Sequence, residues 1–133
     1  MAASAEKTAE LAARNPPWSV GALEQQAGHF LLSQSSDPAS RRQEYLAEAR
    51  RFAAALGTIG GLEVSPSATG FFIVRLKRGT GAELKAHLLE RHGLLIRDAS
   101  NFPGLDESYV RISTQTPEEN RWLEEALAAW MRS

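Results

Sequence analysis

Cysteine is absent from the sequence. A disulfide framework and a thiolate metal site are therefore excluded, and a reducing compartment is compatible with the chain. An excess of charge of either sign is also lacking: 15 basic residues stand against 16 acidic ones, a formal net charge of −1. That balance supplies no long-range pull toward nucleic acid or an anionic membrane, and neither is expected as a partner. No apolar run approaches the roughly 20 residues that cross a bilayer. The first residues, Met1 to Lys7, have no apolar stretch of the kind a secretory signal carries. The expectation is a soluble cytoplasmic domain.

Several reactive patterns are missing too. Gly79-Thr80-Gly81 has no phosphate-loop spacing and no Lys-Ser or Lys-Thr after it. No serine sits in a nucleophile-elbow context. His29, His87 and His92 are scattered, and the last two do not have the spacing of a helical metal pair. Lys7, Lys77 and Lys85 lie in charged, water-accessible contexts, unlike the desolvated lysine of a Schiff base. No catalytic residue and no metal ligand is assigned.

The 133 residues, 43% of them hydrophobic, suffice for one core. Residues 5–14 form an alanine-rich helix that Asn15-Pro16-Pro17 must end, because proline lacks an amide proton and disfavours helix in the residue before it. A second helix is expected from Val20 to Ser33, capped by Ser19. Asp37-Pro38 opens a third, which runs to Leu56 with Tyr45, Leu46, Ala49, Phe52, Ala53 and Leu56 along one face. Glycines 57, 60 and 61 stop it.

Short strands follow: Leu62 to Val64, and the β-branched and aromatic Phe71 to Leu76. Thr80 and Glu83 make a capping box for a helix near 81–91. Leu94 to Arg97 and Tyr109 to Ser113 read as two further strands, separated by the turn residues Asn101-Phe102-Pro103-Gly104. Thr116-Pro117-Glu118-Glu119 starts a last helix with the stripe Leu123, Ala126, Leu127, Trp130 and Met131. The fold class is α+β: a small mixed or antiparallel sheet of three to four strands covered by helices. Residues 1–35 read as a helical connector that expects a partner surface, the alternative being that they complete the core, and residues 36–133 read as the small domain.

Alternation along the strands places Arg111 away from Val110 and Ile112, and Arg97 away from Leu94 and Ile96. If the strands are neighbours, two guanidinium forks converge, a geometry suited to carboxylate or phosphate. The other reading leaves both exposed or paired with acids such as Asp98, Asp106 and Glu107. Strand chemistry by itself leaves the two open.

The run from Leu94 to Leu105, the strand Tyr109-Val110-Arg111-Ile112-Ser113 and Thr116-Pro117-Glu118-Glu119-Asn120 resemble the terminal region of fold-type-I pyridoxal-phosphate enzymes of the aminotransferase superfamily. Asn15-Pro16-Pro17-Trp18-Ser19-Val20-Gly21 and Ala68-Thr69-Gly70-Phe71-Phe72-Ile73-Val74 resemble family segments as well, with glycine at 21 and 70 where the family commonly has asparagine. The resemblance is to the threonine-phosphate decarboxylase and histidinol-phosphate aminotransferase branches, and Pro-Pro-Trp-Ser favours the former.

It implies substrate-binding roles for Arg111, on the α-carboxylate, and for Arg97, on the phosphate or acidic end. It implies an amino-acid phosphate substrate, as in the cobalamin pathway, and a homodimeric parent that uses pyridoxal phosphate. The family's cofactor lysine, phosphate-cup residues and pyridine-nitrogen aspartate all precede the matching region, and no residue here corresponds to them. The chain alone is therefore expected to bind no cofactor and to be inactive. It is also expected to lack its large-domain partner and to expose apolar surface that drives self-association, which a concentration-dependent sedimentation coefficient would reveal. A non-catalytic binding module is the remaining alternative.

Overall fold

The computed structural model describes residues 4–14, 20–34 and 38–132. They fall into two compact units, Met1–Pro38 and Ala39–Ser133. The first contains helices α1 (Ala5–Arg14) and α2 (Ala22–Gln34). Helix α2 starts two residues later than the expected Val20. The Ser19 cap, the Asn15-Pro16-Pro17 stop and the Asp37 cap lie outside the described residues. Among its described side chains, Val20, Leu23, Phe30, Leu31 and Leu32 stay in water, Leu23 at 83% and Leu32 at 73% of full exposure.

The second unit contains α3 (Pro38–Gly57), β1 (Leu62–Val64), β2 (Phe71–Leu76), α4 (Gly81–His92), β3 (Arg97–Asp98), β4 (Tyr109–Ser113) and α5 (Pro117–Arg132). The strands form one antiparallel sheet in the order β1-β2-β4-β3. The class is α+β, as the patterning implied.

Period-two alternation explains how the sheet is used. Phe72, Val74, Leu76, Val110 and Ile112 are buried with Phe52 and Leu56 of α3, Leu84 and Leu88 of α4, and Leu123 and Leu127 of α5. All three helices of the unit thus cover one face. The other face carries Glu63, Phe71, Ile73, Arg75, Arg97, Tyr109, Arg111 and Ser113, each exposed or half-buried.

Helix α4 is bounded as its sequence implied. Thr80 Oγ1 accepts from Glu83 N while Glu83 returns a carboxylate to Thr80 N at 2.8 Å. Gly93 closes the helix at φ 66°, a left-handed conformation open to glycine at little cost. The first residue, Gly81, packs so tightly on β4 that a Cβ there would stand 2.9 Å from the Tyr109 carbonyl oxygen.

The strand expected over Leu94 to Arg97 needs correction. Only Arg97 and Asp98 join the ladder; Leu94, Leu95 and Ile96 run beside it without pairing. Their alternation survives, with Ile96 buried and Leu95 at 69% exposure. An in–out pattern requires only a core to face, whereas a strand also requires a partner's backbone.

Helices α3 and α5 are joined by a polar cluster around the buried Asn120. Asn120, 1% exposed, accepts from Gln115 N at 2.9 Å and donates to Gln115 O and to Glu48 Oε1. Arg51 donates twice to Glu48 and once to Glu124. Those bonds from Arg51 hold the Glu48 carboxyl below its ordinary value, with help from the Asn120 amide and Arg121 and against the pull of burial. A depressed carboxylate stabilises the fold above its unfolded pKa, about 4.3, and the benefit is lost as pH falls through the folded value. Urea denaturation followed from pH 5 downward should therefore show a shallower acid limb for Glu48→Gln than for wild type. Parallel acid limbs would mean that the cluster does not couple to folding.

Candidate functional site

The two arginines singled out from the sequence are brought together. Arg97 and Arg111 are Cα partners across the β3–β4 ladder, so their side chains leave the same face side by side. Directly opposed residues in antiparallel strands have Cβ atoms about 5 Å apart, and like charges so placed destabilise the sheet. At the other edge of the sheet, the same face shows the ordinary arrangement. Arg75 opposes Glu63 across β1–β2 and pairs with it at 3.6 Å.

The Arg97–Arg111 pair has no such relief. Among the described residues neither forms an ion pair within 4.0 Å, and the buried Arg111 Nε has no hydrogen-bond partner. Among the described residues Arg97 Nη2 reaches Asn101 Oδ1, at 3.5 Å, the long limit of a hydrogen bond.

Of the acids proposed as alternative partners, Asp98 and Asp106 are occupied elsewhere. Asp98 accepts from Ser100 N at 2.9 Å, and that bond, before the nearby Lys85 and Arg97 charges, lowers its pKa. Asp106 is likewise lowered by its bonds from Ser108, and Ser108 N reaches it at 2.8 Å. Glu107 is in no ion pair among the described residues.

The pair lines an open groove of about 850 Å³ between the segment from Gly93 to Asn101, the end of β4 and the start of α5. Lys85, Arg97 and Arg111 face two carboxylates there, Asp98 and Glu119. Glu119 is committed to Thr116, whose hydroxyl donates at 2.6 Å and depresses its pKa. Leu95 and Trp122, the latter 53% exposed, add an apolar wall. Leu94 to Ile96, which do not pair with β4, form one side of the groove. Its lining offers two forks of N–H donors with no ion-paired acid among the described residues.

Sequence reasoning missed Asn101, Lys85 and the Trp122 wall as parts of this site. Trp122 lies beside the apolar stripe of α5, and its helical position alone does not reveal that it faces water. His87 packs against Trp130, with ring centroids 4.7 Å apart, and against His92 at 5.6 Å.

Comparison with known proteins decides the family. Residues 2–127 match the model of the family described as Aminotransferase class I and II. The chain belongs to that family. Among curated relatives of this aminotransferase-family chain, a protein named putative threonine-phosphate decarboxylase from Caldanaerobacter subterraneus is 36% identical over 111 residues, which are 84% of this chain and 30% of that protein. A histidinol-phosphate aminotransferase from Roseiflexus castenholzii is 35% identical over 106 residues, 78% of this chain and 28% of the relative. The solved L-threonine-O-3-phosphate decarboxylase of Porphyromonas gingivalis superposes with a TM-score of 0.75 at 43% identity, covering 98% of this chain and 40% of its own. The chain thus spans about a third of the length of the proteins it matches.

The family depends on pyridoxal phosphate. Its covalent anchor is a lysine withdrawn from water. Lys7, Lys77 and Lys85 are all exposed, and Lys77 Nζ is tied to Glu63 at 3.2 Å. The residues of this aminotransferase-family chain do not fit that role.

Proposed function

We propose that this chain is the substrate-binding C-terminal small domain of a pyridoxal-phosphate enzyme acting on an amino-acid-like phosphate ester, in the manner of a threonine-phosphate decarboxylase. One observation carries the proposal: two arginines directly opposed in register with no acid between them. Such a pair costs stability in an anion-free chain and recovers it when an anion enters. Arg111, the half-buried member, takes the α-carboxylate, and Arg97, at the rim, takes the phosphate or acidic end. Binding energy from the remote group then helps to orient the reacting carbon. The cofactor and its lysine belong to a large domain that precedes this segment, so the chain by itself has no turnover. Residues 1–35 are the connector to that domain. The name of the Roseiflexus relative supports a second reading, amino transfer on histidinol phosphate.

Titrating the chain with phosphothreonine while recording guanidinium N–H signals tests the assignment. Millimolar binding that moves the Arg97 and Arg111 signals fits half a pocket. Micromolar binding would instead identify a stand-alone module. Shifts confined to other residues would remove the substrate-holding role. In the complete enzyme, product analysis with threonine phosphate, and with histidinol phosphate plus 2-oxoglutarate, separates decarboxylation from amino transfer.

A further inference from the structure

Each arginine of the pair lies over an aromatic ring instead of an acid. Arg111 Cζ is 5.4 Å from the centroid of Phe71, and Arg97 Cζ is 5.3 Å from that of Phe102. The first contact follows from register. Phe71 opposes Ser113 and Ile73 opposes Arg111, so Phe71 and Arg111 are diagonal neighbours on one face, within reach of an aromatic side chain. The second ring is delivered by the turn after β3, where Phe102 N donates to Ala99 O and Leu105 N donates to Phe102 O, each at 3.0 Å. Arg75, the third arginine of this face, is held differently: it is paired with Glu63, and its ring contact with Tyr109 is longer, at 6.0 Å.

We infer that Phe71 and Phe102 are positioning residues, each fixing the plane of one guanidinium while leaving its charge uncancelled and its donors uncommitted. The inference rests on the anion-cradle reading of the pair and adds how the cradle is kept ready. A carboxylate could also immobilise an arginine, but it would occupy the fork and neutralise the charge that a ligand anion needs. An aromatic face attracts the cation through its quadrupole and accepts no directed N–H bond from the fork. This also accounts for Phe71, a large apolar side chain that remains 49% exposed on the open face of the sheet. The turn residue Asn101, 3.5 Å from Arg97 Nη2, supports the same arginine from a second side without adding charge.

The experiment uses the whole 133-residue chain and needs no catalysis. In the anion-free protein, the Arg111 and Arg97 side-chain signals should carry ring-current shifts. Phe71→Leu should collapse only the Arg111 shift and Phe102→Leu only the Arg97 shift, with the backbone amide spectrum retained. The matching Phe→Tyr variants should keep both shifts. Affinity for phosphothreonine should fall about two- to fivefold in each leucine variant and return with tyrosine. If the leucine variants leave the anion-free arginine signals and the affinity unchanged, the positioning role is wrong. If instead the ring-current pattern behaves as expected but phosphothreonine moves neither arginine signal of the wild type, the anion-cradle reading fails and the aromatic contacts are structural.

Discussion

Arg111→Ala in the complete enzyme is expected to lower kcat/KM for the phosphate-ester substrate by about 10²- to 10³-fold. Truncating one member of a desolvated, hydrogen-bonded charge pair costs about 2–5 kcal/mol, and each 1.4 kcal/mol is a factor of ten. Arg111 is the half-buried member, so in its proposed role its loss would deprive the substrate anion of its least hydrated donors. Arg111→Lys keeps the charge but not the planar fork and should recover only part of the loss. Arg97 is exposed, so water screens it and Arg97→Ala should cost less, about tenfold.

Stability supplies an independent readout. Removing either guanidinium from the anion-free chain relieves a like-charge opposition worth about 0.2–1 kcal/mol. The unfolding free energy should therefore hold or rise while ligand binding falls. An unfolding free energy that drops by more than about 1 kcal/mol in Arg111→Ala would make Arg111 a structural residue and sink the anion-site assignment.

Phe52→Ala should come close to unfolding the second unit. Phe52 is fully buried and meets Phe72 edge to face, with centroids 5.7 Å apart and planes at 70°. Deleting a buried phenyl costs about 3–5 kcal/mol, against a total of about 5–15 kcal/mol for a domain. Phe52 is where α3 grips β2, and β2 is the strand on which β4, and through it Arg111, is registered. Guanidinium denaturation should show a midpoint far below wild type, with Phe52→Leu in between. A loss under about 1 kcal/mol would mean that the α3–sheet contact is not what sustains the register.

Much of this was legible in the chain. The β-branched and aromatic run of β2, the Tyr109 to Ser113 strand, the Thr80–Glu83 capping box and the Thr116-Pro117 start of α5 are local signals, and each lies where its pattern placed it. The faces of Arg97 and Arg111 followed from alternation alone. Other features carried no local signal. Asn120 reads as an ordinary helix residue, yet it is the buried link between Glu48 and Gln115, because its partner on α3 lies far away in sequence. The short β3 depends on whether β4 offers a free backbone edge beside Leu94 to Ile96, which no window of residues reports. The ring beneath Arg111 belongs to Phe71, a neighbour only once β2 and β4 are in register.

By itself, then, the sequence determined the kinds and order of the elements, the core-facing positions and the side of each strand that bears an arginine. Those properties arise from backbone propensity and periodicity within a few residues. The tertiary structure alone decided that Arg97 and Arg111 stand opposite each other, that aromatic rings and not acids lie against them, and that the edge beside them opens into a groove. Each of these depends on which distant backbones share a hydrogen-bonded ladder.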